Sequence, residues 1–286
     1  RYEGSNILLG PVDVQNSPGG PVVIRAPLWR GWTMLERSRF VVSDAVWKKV
    51  APLLPGKASD PGATARDNRL FLEAVLWRVR TGAQWRDLPG DFGHWNSVFQ
   101  RFRRWVKGGV FERVFGCVSD EPDFEYVLID GTIVTAHQKA SGARGGSQNQ
   151  AIGRSRGGLT TKIVALVDAL GNLVRFVLLP GQRHDSLGVR PLIENVAFSA
   201  LLGDKAFDID WLRTELDERG AAAVIPPKIN RKAAISFDRD MYCWRHLIEN
   251  FFARLKQYRA IATRYDKTAA AFLGAIHLAA AVVWLI

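Results

Sequence analysis

Apolar residues recur at helical spacing in three segments of the first half of the chain. The pattern predicts helices over residues 44–54, 67–80 and 93–106. Ser43 is suited to cap the first helix, Pro55 stops it, and Gly82 follows the second. The front of the chain is therefore expected to be all-helical.

The third predicted helix has an apolar stripe and a cationic face. Apolar residues recur at steps of three and four from 95 to 106, and the basic residues between and after them include Arg101, Arg104 and Lys107. Residues 34–118 contain 15 basic and 8 acidic residues, and so carry +7 of the total charge. A small helical domain with a basic last helix is typical of helix-turn-helix DNA binding, and an ordinary helical domain with a solvated basic face is the alternative.

Short apolar runs alternate with helical stretches in the second half. Strands are predicted over 124–129, 162–167, 173–179, 200–203 and 222–225, and helices over 187–196, 209–219 and 239–259. The runs 162–167 and 173–179 flank a turn-rich connector, so we expect an antiparallel hairpin with Asp168 as a turn residue. This element order predicts an α/β domain with a mixed sheet and flanking helices.

The two ends of the chain differ from the rest. Residues 1–33 are rich in Gly and Pro, lack periodicity and precede the first methionine, Met34, so we expect a non-native or disordered leader. Residues 269–286 are almost entirely apolar, close to the shortest length that spans a membrane. Their many alanines and His277 favour a buried helix over a membrane helix.

Composition narrows the class of protein. The chain has 286 residues, 47% hydrophobic and 23% charged, which excludes disorder of the whole chain. Its two cysteines lack ligand spacing, so a disulfide framework and a zinc knuckle are excluded, and a reducing cytoplasm fits best. The net charge of +11 indicates a polyanionic partner, either nucleic acid or an acidic membrane surface.

Three acids are placed where they could act together. Asp130 and Asp204 each follow a predicted strand, and Glu249 lies on the helix predicted over 239–259. At 100° per residue, Glu249 shares a sector of about 60° with Tyr242, Arg245 and Lys256. Carboxylate oxygens suit Mg²⁺ or Mn²⁺, and carboxylates that hold two such ions perform phosphoryl transfer. Solvated surface acids are the alternative.

These residues fall into motifs of a known family. The motifs are Asp130-Gly131-Thr132, Leu202-Gly203-Asp204-Lys205, the spaced set Tyr242, Arg245, Glu249 and Lys256, and the runs 153–162 and 180–185. From residue 39 to its end the chain resembles the DDE transposases of bacterial insertion sequences, in the insertion sequence five family.

The resemblance implies both a fold and an activity. It implies a ribonuclease-H-like core over 119–286, in which Asp130, Asp204 and Glu249 are catalytic and bind two Mg²⁺ or Mn²⁺ ions. It also implies that Tyr242, Arg245 and Lys256 contact transposon-end DNA. A helical domain over 34–118 would recognise terminal inverted repeats, and a homodimer or larger assembly would pair two ends of double-stranded DNA before attack on target DNA.

The segment between His137 and Lys162 contains no acid and six glycines. Its basic residues include Arg154, Arg156 and Lys162, and it lacks a nucleotide-binding GxxxxGK[ST] motif. We interpret it as a mobile loop that contacts DNA. A plain flexible linker is the alternative.

Three other functions remain open from the sequence. A decayed copy of the element would bind DNA without chemistry, and a stand-alone nuclease would cut DNA without joining it. A cationic protein associated with membranes is the third. We expect a cytoplasmic transposase without a membrane partner.

Overall fold

The computed structural model of the chain describes residues 41–62, 64–119, 121–231 and 235–285. The predicted leader and the predicted domain start at Met34 lie outside these residues. The described α-helices are α1 (Asp44–Val50), α2 (Asn68–Thr81), α3 (Trp95–Lys107), α4 (Val110–Val118), α5 (Gly146–Asn149), α6 (Val189–Ile193), α7 (Asp210–Glu218), α8 (Arg239–Tyr242), α9 (His246–Lys256), α10 (Arg259–Ala262) and α11 (Ala269–Leu285). The described strands are β1 (Val127–Ala136), β2 (Gly153–Ser155), β3 (Gly158–Val167), β4 (Leu173–Pro180), β5 (Ala200–Gly203), β6 (Ala222–Val224) and β7 (Thr263–Arg264).

Local signals in the sequence set the ends of the front helices. The side chain of Ser43 accepts a hydrogen bond from the Val46 amide at 3.3 Å and caps α1. Asp67 caps α2 by accepting from the Leu70 amide at 2.8 Å, and Gly82 ends it with a φ of 71°. The first helix ends earlier than predicted, at Val50, where a 3₁₀ turn replaces its last residues.

The front of the chain has one more helix than the sequence predicted. Gly109 adopts a φ of 64°, which ends the path of α3 and starts α4 in a new direction. Buried Phe111 and Phe115 hold α4 in the core. Three helices were therefore too few, because the Gly108-Gly109 step is a break between two helices and not the end of the helical region.

The seven described strands form one mixed sheet with the order β2-β3-β1-β5-β6. β4 also pairs with β3, and β7 with β1. β3 and β4 are antiparallel, as predicted, while β5 pairs parallel with both β1 and β6. The mixed sheet with helices on its faces confirms the predicted fold class.

Each face of the sheet has its own hydrophobic core. Val127 and Ile129 lie in a core with α6 and α7, whereas Leu128 and Val134 lie in a core with α9 and α11. The alternation follows from the period of two in a strand. Asp168 is fully buried at the β3–β4 turn and accepts from the Asn172 amide at 2.8 Å, which confirms it as a turn residue.

The apolar C-terminal segment forms α11, a buried helix as predicted. Its residues join the same core as the front helices, and at Gly274 a Cβ would lie 2.9 Å from Cγ2 of Val106. The close approach of α11 to α3 and α4 therefore depends on this glycine. Among the described residues, no helix is both long and apolar enough to cross a membrane.

Three predicted segments differ from the structure. Residues 187–196 form a 3₁₀ turn (Asp185–Gly188) and the short α6. The helix predicted over 239–259 ends at Lys256, because Tyr258 is extended with a ψ of 101°, and it contains a 3₁₀ turn over Cys243–Arg245. The segment 137–162 contains α5, β2 and the first residues of β3, so much of the predicted mobile loop is hydrogen-bonded structure.

Candidate active site

Asp130 lies inside a strand and not at its end, contrary to the prediction. β1 continues to Ala136 because it pairs with β3 over eight residues from Leu128 to Thr135. Asp130 is opposite Ala165 in this register and shares the face of the sheet that packs on α9. The acid is thus fixed inside β1 by the pairing with β3, and the pairing of β1 with β5 ends one residue earlier, at Ile129.

Asp204 directly follows β5, as predicted. Ile129 in β1 pairs parallel with Gly203, the last residue of β5, so the residues that follow them, Asp130 and Asp204, are neighbours. Oδ1 of Asp204 accepts a hydrogen bond from the Ala206 amide at 2.8 Å. This bond orients the carboxylate where the chain leaves the sheet.

Arg245 connects the third acid to the first. Its Nη1 lies 2.9 Å from Oδ2 of Asp130, and its Nη2 donates to Oε1 of Glu249, one helical turn further on. Asp130 and Arg245 are mostly buried, whereas Glu249 is 55% exposed. One guanidinium therefore lies between the carboxylates of β1 and α9.

The charges at this site act on one another. Burial raises the pKa of Asp130 above its usual value and the Asp204 carboxylate raises it further, against the opposing effects of the Gly131 amide and Arg245. Burial lowers the pKa of Arg245, but Asp130, Tyr242 and Glu249 raise it more. The carboxylates thus concentrate negative charge that favours a nearby cation.

The other two residues of the predicted polar stripe, Tyr242 and Lys256, lie on either side of Arg245 and Glu249 along the chain. Tyr242 packs edge-to-face on Phe237, with ring centroids 5.6 Å apart. Lys256 is exposed at the end of α9, and among the described residues no ion pair engages its ammonium. Both side chains remain predicted DNA contacts.

The donor chemistry of the acids fits a divalent cation such as Mg²⁺. Asp130 and Asp204 offer hard oxygen donors next to each other, and Glu249 is linked to them through Arg245. In the described part of the chain, no group of three or more His, Cys, Asp or Glu is close enough to hold one ion as it stands. Arg245 supplies positive charge between Asp130 and Glu249 in this arrangement.

The predicted basic contacts differ in how accessible they are. Arg154 and Arg156 are exposed on the β2–β3 hairpin. Arg154 is opposite Leu159, six residues along β3 from the partner of Asp130, or roughly 20 Å away. Lys162 lies within β3, where its ammonium pairs with Asp185, so it is not a cation on a mobile loop.

On α3, Arg104 and Lys107 are exposed, but Arg101 is packed against the protein. Its guanidinium lies 4.3 Å from the centroid of the Phe71 ring and 4.9 Å from that of Trp105, and it donates to Asn68. Burial lowers the pKa of Arg101. Its side chain therefore stabilises the contact between α2 and α3.

Sequence reasoning missed a buried carboxylate near Asp204. Asp208 accepts from Nε of Arg213 and Nε of Arg231, both at 2.6 Å, and from the Lys228 amide at 2.7 Å. These bonds hold the chain after β6 against the end of β5, and they hold the pKa of Asp208 well below its usual range even though burial alone would raise it. Only its position four residues after Asp204 could have drawn attention to it.

Two family models match the chain. The model described as "Putative transposase of IS4/5 family (DUF4096)" matches residues 42–115, and "Transposase DDE domain" matches residues 121–284. The second model covers more than half of the chain. The chain therefore belongs to the DDE transposases of the IS4/5 type, which confirms the resemblance in the sequence.

The chain is also similar to individual proteins. The chain is 38% identical over 129 residues to the "Putative transposase for insertion sequence element IS6501" of Brucella ovis, covering 44% of this chain and 99% of that protein. It is 41% identical over 101 residues to "Uncharacterized protein y4sN" of Sinorhizobium fredii, covering 35% and 81% respectively. A solved structure of the piggyBac transposase synaptic complex with hairpin DNA aligns with a TM-score of 0.44 and 13% identity, over 84% of this chain and 70% of that one.

Proposed function

We propose that this protein binds the terminal inverted repeats of an insertion sequence and catalyses metal-dependent DNA cleavage and strand transfer. One observation carries the proposal. Asp130 on β1 and Asp204 directly after the parallel strand β5 are neighbours, and Arg245 joins Asp130 to Glu249 on α9. Membership in the DDE transposases supports the assignment of these three acids as catalytic.

The proposed reaction consists of two phosphoryl transfers without a covalent enzyme intermediate. In the first, the oxygen of water forms a bond to phosphorus at the element end, and the bond to the 3′ oxygen breaks to leave a 3′ hydroxyl. In the second, that hydroxyl attacks a phosphodiester of the target DNA and displaces its 3′ oxygen. Two divalent cations, when held by the three carboxylates, supply charge neutralisation and lower the pKa of water.

The chain's own cations would act on the DNA backbone. Arg245 can form two parallel hydrogen bonds to a phosphate if it leaves Asp130 and Glu249. Lys256 offers an exposed ammonium at the end of the same helix as Glu249. Arg154 and Arg156 would hold the duplex about six base pairs from the reaction, since about 20 Å separates them from Asp130. The transposase is expected to act as a dimer or a larger assembly in the cytoplasm.

The test is cleavage and joining of DNA that flanks the gene. We would incubate the full chain with labelled duplexes taken from both flanks, with Mg²⁺ or with EDTA, beside the variant Asp204→Asn. Asp217→Asn is the matched control, because Asp217 is an exposed acid on α7. The proposal expects Mg²⁺-dependent joined product from the wild type and the control, and none from Asp204→Asn.

Other results would each identify a different protein. Cutting without joining would indicate a stand-alone nuclease, and binding without chemistry would indicate a decayed copy. Normal joining by Asp204→Asn would show that the assigned acids are wrong.

A further inference from the structure

Asp185 lies directly behind β1, the strand that carries Asp130. A Cβ built on Gly131 would be 3.0 Å from Cγ and from Oδ2 of Asp185, tighter than most Cβ contacts in proteins. Gly131 is the residue after Asp130, and successive residues of a strand point to opposite faces. Asp185 therefore contacts the back of β1 at the step where Asp130 projects from the front.

Lys162 pairs with Asp185 on this back face. The Lys162 ammonium forms a close ion pair with the Asp185 carboxylate and donates to the Arg183 carbonyl at 2.7 Å. The side chains of Lys162 and Asp185 are only 12% and 20% exposed. Lys162 thus ties the chain before Asp185 to β3, which is the hydrogen-bonded neighbour of β1.

A second glycine lets the same 3₁₀ turn, Asp185–Gly188, pack on the sheet. A Cβ on Gly188 would lie 2.9 Å from Cγ2 of Val177 and 3.0 Å from Cβ of Val164. Val164 is opposite Gly131 in the β1–β3 register. The turn is therefore packed against β1 at Asp185 and against β3 and β4 at Gly188.

We propose that Asp185 and Lys162 are a positioning pair for Asp130. The pair holds the turn against Gly131, so that the backbone of β1 cannot shift and the Asp130 carboxylate keeps its place beside Asp204. The consequence for cleavage rests on the function proposed above. Neither residue touches DNA in this role, and Asp185 is not an ion ligand because it lies on the other face of β1.

The test is a double-mutant cycle on cleavage with Lys162→Met, Asp185→Asn and the double variant. Lys162→Arg keeps the charge, and Glu215→Gln is the control because it neutralises an acid on α7, away from the site. We would measure single-turnover kcat and KM on the flanking duplexes, the salt dependence of DNA binding, the melting temperature, and hydrogen exchange of peptides within 127–136.

Each single variant is expected to lower kcat about 10- to 100-fold, because a small displacement of a reacting group has effects of this size. KM and the salt slope of DNA binding should not change, and Lys162→Arg should cleave within about threefold of wild type. The double variant should be no slower than the slower single variant, since both changes remove one interaction. Exchange within 127–136 should be faster in the singles than in wild type.

Three results would overturn the proposal. If Lys162 and Asp185 act independently, the fold-losses in kcat of the two single variants will multiply in the double variant. A salt slope smaller by about one in Lys162→Met, but not in Asp185→Asn, would make Lys162 a DNA contact. Unchanged kcat in both folded single variants would remove the positioning role, as would a folded Lys162→Arg that fails to cleave.

The outcome for the pair is separable from the outcome for the proposed function. If wild type itself forms no product, the proposed function fails, and hydrogen exchange within 127–136 then decides the pair. Faster exchange in Asp185→Asn, with wild-type exchange in Glu215→Gln, supports the pair. Unchanged exchange contradicts it.

Discussion

Arg78 on α2 and Asp266 before α11 form a buried ion pair with two hydrogen bonds, of 2.9 and 3.1 Å, between residues 188 positions apart in sequence. The pair joins the front helices to the end of the chain. Because α11 also shares a hydrophobic core with α2, α3 and α4, packing is continuous across the domain boundary predicted at residue 118. Family-model boundaries at 115 and 121 thus fall within one packed structure.

Removing one member of this ion pair should destabilise the whole chain. Asp266→Asn leaves the Arg78 guanidinium buried without its carboxylate, and we expect a loss of about 3–5 kcal/mol in the free energy of unfolding. Denaturation in urea measures it. Asp44→Asn, which breaks the exposed pair with Arg69, should change stability by less than about 1 kcal/mol. If the two variants lost the same free energy of unfolding, the buried pair of Arg78 and Asp266 would not stabilise the chain more than an exposed pair does.

His277 should make stability depend on pH. Burial lowers its pKa from 6.5 to about 4, and its ring lies against Phe176 with centroids 4.7 Å apart. The unfolded chain therefore binds a proton more readily than the folded chain between these two values. The stability that accompanies neutral His277 is fully present above about pH 7 and is lost as the pH falls through 6.5 towards 4, by about 2 kcal/mol at pH 5 and about 3 kcal/mol below pH 4.

The measurement is urea denaturation of wild type and His277→Gln at pH 7 and pH 5. The informative quantity is the difference in the free energy of unfolding between wild type and His277→Gln, because the effects of all other titrating groups cancel in it. The difference should shrink as the pH falls, because glutamine binds no proton. A difference that is the same at both pH values would show that His277 is solvated.

Glu249→Gln should abolish cleavage and spare DNA binding. The change keeps the size of the side chain but removes the charge that completes the carboxylate set, and we expect cleavage to fall on the order of 10³-fold or more. Glu215→Gln on α7 is the matched control, because Glu215 also pairs with an arginine one turn away. Gel shifts report binding, and normal cleavage by Glu249→Gln would refute its assignment.

The exposed cations of α3 should contribute to DNA affinity through charge alone. Arg104→Ala with Lys107→Ala should weaken binding and lower the salt slope by about two, since each phosphate contact contributes about one. Arg101→Ala should instead lower the melting temperature, because its guanidinium packs on Phe71 and Trp105. Titrations at several salt concentrations separate the two cases, and an unchanged slope in the double variant would exclude α3 from the DNA interface.

The β2–β3 hairpin should affect affinity and not chemistry. Arg154→Ala with Arg156→Ala should lower the salt slope by about two while single-turnover cleavage at saturating protein stays within about threefold of wild type. The expectation follows from their distance of about 20 Å from Asp130. A large loss of cleavage at saturation would place the hairpin at the reacting phosphate.

Part of the candidate site could be predicted from the sequence. Asp204 could be placed after β5 because a short apolar run and an acid are adjacent in the chain, and the spacing of Arg245 and Glu249 is a property of one helix. The position of Asp130 could not be placed in this way. Residues 132–135 are all β-branched and favour a strand, but pairing with β3 carries that strand through Asp130 and Gly131, and a partner strand is not visible in the local pattern.

Sequence by itself determined the features that depend on near neighbours: the caps at Ser43 and Asp67, the hairpin of β3 and β4, and the burial of α11. Tertiary structure alone decided which cations are available. Arg101 and Lys162 look like Arg104 in a sequence, yet aromatic rings and Asp185 engage them. The physical reason is that caps and periodicity act over a few residues, whereas ion pairs and close packing join residues that only the folded chain brings together.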